Sequence, residues 1–344
     1  VIPRIALAPD YTISRIIKGG WHLAGDHGAI DPEEARADMA RFVEAGITTF
    51  DCADIYTGVE AMIGAFRRDY PSLARQVQIH TKFVPDLPTL AGLRPNDVER
   101  IIDRSLARLG VERLDLVQFH WWDFDIPRYV ETALELERLR AAGKIAHVGV
   151  TNFDAPRLRQ LLDAGVRVLT NQVQYSLIDD RPRAAMADLC RDAGVSLLCY
   201  GTLAGGLFSE RWLGSPPPER PANRSLVKYA LIVEEFGGWA LFQELLTVLA
   251  GIAARHGADI GSVAARAILD RPQVAAVIIG ATSARHLARH VALAEIALGA
   301  DDLARIDAIL ARRRGPAGEV YGLERDRGGR HGAIMKYQLN SLPG

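Results

Sequence analysis

Short runs of β-branched and apolar residues recur eight times along the chain, separated by stretches whose apolar residues fall at helical spacing. The runs are RIIKGG, ITTFD, VQIHTK, LDLVQF, AHVGVT, RVLTNQ, VSLLCY and AAVIIG; DPEEARADMARFVEAG and PNDVERIIDRSLARLG are two of the intervening stretches. A helix between two strands is the crossover that lets them pair in parallel, and eight such units are what a closed (β/α)8 barrel of the TIM type needs. Helix ends are marked as well. Asp31 and Pro32 read as N-cap and first residue of one helix, and Gly46, Gly110 and Gly143 as stops of others. RIALAPDYTIS, ahead of the first run, predicts a two-stranded β-hairpin. No linker or internal repeat divides residues 1–344, so a single domain is expected.

The strand ends of such a barrel share one mouth, where residues distant in sequence converge. Four reactive side chains lie at these hand-overs from strand to loop: Asp51 and Tyr56 in ITTFDCADIYTG, Lys82 in VQIHTKF and His120 in LDLVQFHWW. Each has an ordinary reading by itself. A loop tyrosine packs, a strand-end lysine makes a surface pair, a histidine beside two tryptophans fills a core, and an aspartate caps a turn. Their joint occurrence at strand ends argues for one active site built from three segments.

The same residues resemble, in order and local wording, the aldo-keto reductase superfamily. FDCADIY is similar to its FDTAxxY signature, HTK to its strand-end lysine and QFHWWD to its QxHxxD; GVTNF (149–153), NQVQYS (171–176) and YGTLAGG (200–206) resemble GxSNF, NQVxY and YxPLxxG. The likeness runs over nearly the whole chain. It implies an NAD(P)(H)-dependent oxidoreductase that interconverts an aldehyde or ketone and the alcohol by direct hydride transfer, with the hairpin plugging the barrel floor. When hydride reaches a carbonyl carbon, charge develops on oxygen, so a proton donor must already be in reach. The resemblance gives that task to Tyr56. A free phenol titrates near ~10, and an ammonium alongside lowers it. Lys82 would supply the ammonium, Asp51 would fix Lys82, and His120 would donate a hydrogen bond to the substrate oxygen.

No G-x-G-x-x-G follows a strand and no P-loop occurs, so neither standard nucleotide fingerprint is present. The resemblance instead places Gly19, Gly20 and Trp21 at the cofactor, Thr151, Asn152 and Gln172 at its carboxamide, Tyr200 stacked on the nicotinamide, and Gly201, Leu203 and Gly205 around the pyrophosphate. At the adenosine end the chain departs from the NADP(H)-preferring pattern: Gly280, His286 and His290 stand where Lys, Arg and Asn are usual. Arg285 and Arg289 are placed either to hold a 2′-phosphate or as solvated helix charges. NADP(H) is expected on family frequency, with NAD(H) as the alternative. His286 and His290 in HLARH lack the glutamate of a zincin motif, and no metal is expected.

Trp21, Ile55, Phe83, Trp121 and Trp122 flank these motifs and predict an aromatic substrate wall, with barrel packing as the other reading for each. Two segments break the alternation. Residues 207–239, which carry Trp212 and Trp239, form a long excursion after the seventh strand, expected at the mouth. Residues 315–344 are either a frayed tail or a flap that brings Tyr321, Met335 and Tyr337 to the substrate.

A net charge of −1 gives no electrostatic reason to bind nucleic acid or anionic membrane, and no apolar run spans a bilayer, so a cytoplasmic protein acting on a small molecule is expected. Three cysteines without metal spacing predict free thiols. Two other functions fit the same residues: a lyase using Lys82 as a Schiff base, and a reductase-like module that binds cofactor but turns over little. Substrate, favoured direction, and the choice between monomer and homo-oligomer are not set by the sequence.

Overall fold

The computed structural model describes residues 1–25, 30–219 and 223–340; residues 220–222 and 341–344, parts of the two irregular segments named above, lie outside the described residues, as do 26–29. The hairpin forms from β1 (Arg4–Ala8) and β2 (Tyr11–Ser14), paired antiparallel. The eight runs then form β3 (Ile16–Gly19), β4 (Thr49–Asp51), β5 (Gln78–Phe83), β6 (Leu114–Phe119), β7 (Ile145–Thr151), β8 (Val168–Gln174), β9 (Ser196–Tyr200) and β10 (Val274–Gly280). They make a closed parallel barrel in sequence order, β10 pairing back onto β3.

Helices on the outside begin as the sequence directs. Asp31 accepts from the backbone N–H of Glu33 at 2.8 Å and of Glu34 at 3.3 Å, satisfying two otherwise unpaired donors of the helix Pro32–Glu44. The hairpin residues Tyr11 and Ile13 pack with Ile17, Leu116, Leu198 and Ile278 in one buried cluster, which closes the barrel interior away from the mouth.

Alternation along β5 sets the site. Thr81 donates to Glu60 of the helix Val59–Asp69 at 2.6 Å, so it faces the helix layer. Phe83, two residues on, shares that face and lies 6.0 Å from Phe119. Lys82 therefore points inward, and register places it opposite Gln118 of β6, while Thr151 of β7 is opposite Gln172 of β8.

Beyond the last long helix, Ala300–Leu310, the chain returns to the mouth. Glu324 meets Arg181 in a buried pair (3.0 and 3.1 Å), Arg325 donates to the carbonyl of Asn152 at 2.7 Å, and the Asn340 amide donates to Asp54 at 2.9 Å. In the excursion after β9, Trp212 and Trp239 meet edge to face at 5.9 Å, and the helix Arg224–Phe236 starts where the Asn223 side chain accepts from Leu226 N–H at 3.0 Å.

Candidate active site

Lys82 and Asp51 form a buried ion pair at the mouth. Lys82 Nζ donates to Asp51 Oδ2 at 2.6 Å and to the Cys52 carbonyl at 2.9 Å. Asp51 Oδ1 accepts from Gln172 Nε2 at 2.6 Å and from Gln118 Nε2 at 3.1 Å, so charge-assisted bonds fix the carboxylate on both oxygens. Burial works against the Lys82 charge, but Asp51 and then Tyr56 outweigh it and hold the ammonium above its ordinary pKa. The ammonium stands 4.7 Å from the centre of the Tyr56 ring.

Tyr56 sits in the turn that follows β4, its ring 5.1 Å from that of Trp21. Burial raises its phenol pKa; Lys82 pulls it down and Asp51 pushes it up again, leaving the group above its ordinary value. The expected lowering by Lys82 is thus present but outweighed, and Tyr56 is a protonated donor at neutral pH.

His120 is buried, and burial, with Arg325 nearby, lowers its pKa to about 3. Its Nδ1 lies 3.2 Å from the Thr151 carbonyl, which only accepts, so the neutral ring carries its proton on Nδ1. Among the described residues Nε2 has no hydrogen-bond partner, and it presents a lone pair. The sequence reading has His120 donating to the substrate oxygen. In this tautomer Nε2 can accept an O–H but cannot donate.

These groups open on a cavity of about 410 Å³. Its wall includes Asp51, Tyr56, Lys82 and His120, and also Gly19, Trp21, Ile55 and Trp122. Thr151, Asn152, Gln172, Tyr200, Gly201, Leu203, Gly205 and Gly280 line it as well, with Tyr321 and Met335 from the C-terminal segment. Other expected residues are elsewhere. Phe83 and Trp121 are fully buried in the main hydrophobic core. Gly20 lies behind the wall, where an added Cβ would stand 2.6 Å from the Asp51 carbonyl. Trp212 and Trp239 pack on each other, and Tyr337, which is not on this wall, packs against Trp122 at 5.1 Å between rings. Arg285 and His286 occupy a short turn and Arg289 and His290 the helix Leu287–Leu293; none is on this wall.

The cavity has the complement of a carboxamide. Asn152 adopts a left-handed backbone (φ 62°), and its Oδ1 accepts from the Tyr200 hydroxyl at 2.8 Å. Gln172 Nε2 is taken by Asp51 and Gln118. Among the described residues this leaves Asn152 Nδ2 as a donor and Gln172 Oε1 as an acceptor without protein partners. The buried Thr202 hydroxyl is also unpartnered. Gly201 has φ +77°, and a Cβ there would meet the Tyr229 hydroxyl at 2.4 Å, so only glycine lets the backbone pass this close. At Gly280 a Cβ would stand 2.2 Å from the His22 ring, which explains why a long side chain is absent there. Among the described residues no cluster of His, Cys, Asp or Glu is placed to hold a metal, and no single helix is long and apolar enough to cross a membrane.

Sequence reasoning missed Gln118, Arg224, Ser225, Lys228 and Tyr229. Gln118 had a signal, since it lies two residues before His120 and shares its strand face. The other four sit on the helix Arg224–Phe236, and only tertiary packing brings that helix to the cavity.

A model of the aldo/keto reductase family matches residues 15–311. Flagellar radial spoke protein 5 of Chlamydomonas reinhardtii is 32% identical over 257 residues, covering 63% of this chain, and the chain spans only 49% of that protein's length. The NADH-specific methylglyoxal reductase of Escherichia coli K12 is 25% identical over 331 residues, covering 90% of this chain and 96% of that protein. Among solved structures, a thermostable aldo-keto reductase in complex with the inhibitor epalrestat superposes with a TM-score of 0.71 at 25% identity, covering 90% of this chain and 100% of that one.

Proposed function

Because the chain belongs to the aldo/keto reductase family, we propose that it is a nicotinamide-dependent oxidoreductase that interconverts an aldehyde or ketone and the corresponding alcohol, with Tyr56 as general acid and base. The observation that carries this reading is the Asp51–Lys82 pair set under a protonated Tyr56 at the cavity wall. A bound nicotinamide supplies the hydride. Tyr56 gives its proton to the carbonyl oxygen as charge develops there, and the phenolate left behind faces the Lys82 ammonium. Asp51 keeps that ammonium in place, and Gln118 and Gln172 keep Asp51 in place. In the reverse direction the Tyr56 phenolate, facing the Lys82 ammonium, takes the alcohol O–H proton as hydride leaves the carbon.

The Schiff-base alternative is disfavoured by the same pair. An amine attacks a carbonyl only when neutral, and Lys82 is held as an ammonium and hydrogen-bonded to Asp51. A spectrophotometric screen of aldehydes, ketones and alcohols with NADH and NADPH tests the reading. Absorbance change with at least one carbonyl is expected; none across a broad panel, with cofactor nonetheless bound tightly, would assign the chain to a non-catalytic binding role.

Asn152 and Gln172 would hold the carboxamide, and Tyr200 the ring. Arg285 and Arg289 are exposed and form no ion pair among the described residues, so both are available to a 2′-phosphate at the edge of the site. NADPH is then expected to bind about ten- to a hundredfold tighter than NADH, the range for charge-assisted hydrogen bonds. Burial and the neighbouring guanidinium groups of Arg285 and Arg289 lower the His286 pKa, so His286 is neutral at pH 7 and the preference should not fade between about pH 7 and 8.5. Fluorescence titration of both cofactors checks this; equal affinities would remove Arg285 and Arg289 from the site.

A further inference from the structure

The proposed chemistry uses Lys82 and leaves Lys228, which also lines the cavity wall, without a task. Lys228 lies on the helix Arg224–Phe236 with its side chain 15% exposed. Its surroundings are ring faces. The centres of Tyr200, Tyr321 and Tyr229 lie 5.2, 5.5 and 5.8 Å from Nζ. The nearest carboxylate is Glu324, in a long ion pair at 3.8 Å.

Glu324 is already served. Arg181 grips it at 3.0 and 3.1 Å and grips Asp179 at 2.7 and 2.9 Å. Arg325, buried beside them, donates to backbone carbonyls rather than to a carboxylate. The cluster thus holds two carboxylates and three cations, and Lys228 is the cation that faces the cavity. Asp51, the one carboxylate on the wall among the described residues, is taken by Lys82, Gln118 and Gln172. Among the described residues Lys228 shares its one carboxylate, Glu324, with the closer Arg181, so the cluster keeps an excess of positive charge at the cavity, and an arriving anion relieves it. Burial lowers the Lys228 pKa in keeping with that.

The position specifies the ligand. The Tyr321 ring stands 5.7 Å from the His120 ring and 5.5 Å from Lys228 Nζ, so one side chain separates the reacting end of the cavity from this charge. We propose that Lys228 is an anion subsite selecting substrates that carry a carboxylate across about the width of one aromatic ring from the reacting carbonyl or alcohol. This rests on the oxidoreductase reading above.

The test compares kcat/KM for 4-carboxybenzaldehyde and its methyl ester, whose aldehydes are alike and whose far ends differ in charge. Wild-type enzyme is expected to favour the acid by about tenfold or more. Lys228→Gln should lower the acid-to-ester ratio at least about tenfold, and Lys228→Arg should retain most of it. A wild-type ratio near one overturns the subsite, and decides the matter even if Lys228→Gln does not fold. A ratio unchanged in Lys228→Gln overturns it as well; if cofactor affinity falls in that variant instead, Lys228 belongs to the cofactor. If neither aldehyde nor any other carbonyl is turned over, the oxidoreductase reading itself fails and the subsite with it, an outcome distinct from equal turnover of both.

Discussion

Replacing Tyr56 by phenylalanine is expected to lower kcat for carbonyl reduction by about 10²–10⁴, the usual contribution of a positioned general acid. Only a hydroxyl is lost, so the ring keeps its contacts with Trp21 and the Lys82 ammonium and the fold is undisturbed. Cofactor dissociation constants should change by less than about threefold, because the change acts on the transition state and not on the bound ground state. The pH profile adds a second check. Burial holds the phenol above its ordinary value, so reduction by the wild type should be flat from about pH 6 to 9, while oxidation, which needs Tyr56 to accept a proton, should rise with pH. Steady-state rates of Tyr56→Phe at wild-type levels would remove Tyr56 from the chemistry.

What the sequence revealed divides along physical lines. Strand identity was legible because both faces of a parallel barrel strand are buried, which leaves β-branched runs, continuously apolar in AAVIIG and interrupted by inward polar residues in VQIHTK. Asp51, Lys82 and His120 were legible because polar residues at the ends of such runs must face the mouth to remain solvated or paired. The same alternation tells against Phe83 as a pocket residue: if Lys82 points inward, its neighbour faces the helices, as it does at 0% exposure. Trp121 beside His120 is the same case. The tautomer of His120 was not legible, since it depends on the Thr151 carbonyl one strand away. Nor was Lys228, whose helix carries no pattern that says which neighbour it meets. The balance at Tyr56 was misjudged for a related reason: desolvation depends on the whole surrounding wall, whereas the Lys82 effect follows from two residues.

Arg181→Met is expected to destabilise the fold by about 3–5 kcal/mol, the range for removing one partner of a buried ion pair. Arg181 is 1% exposed and meets two carboxylates that are equally buried, Asp179 after β8 and Glu324 in the C-terminal segment. Methionine fills much of the volume but leaves both carboxylates without their main donor. The dependence on pH follows from Glu324. Burial pushes its pKa up, yet Lys228 and Arg181 together hold it at about 2, below the usual 4.5. A depressed folded-state value means stability that is present above about pH 4.5 and lost as pH falls toward 2. Without Arg181 the burial effect regains ground, the Glu324 pKa rises, and the variant loses stability relative to wild type as pH increases. Urea unfolding of both proteins should therefore show a gap that is widest near pH 7 and narrows toward pH 4. A gap of the same size at both values would mean that packing of the arginine, not its charge, is what holds the segment. The segment carries Tyr321 and Met335 to the cavity wall, so a charge-based gap would also tie substrate affinity to this pair, and KM in Arg181→Met should rise in step with the lost stability.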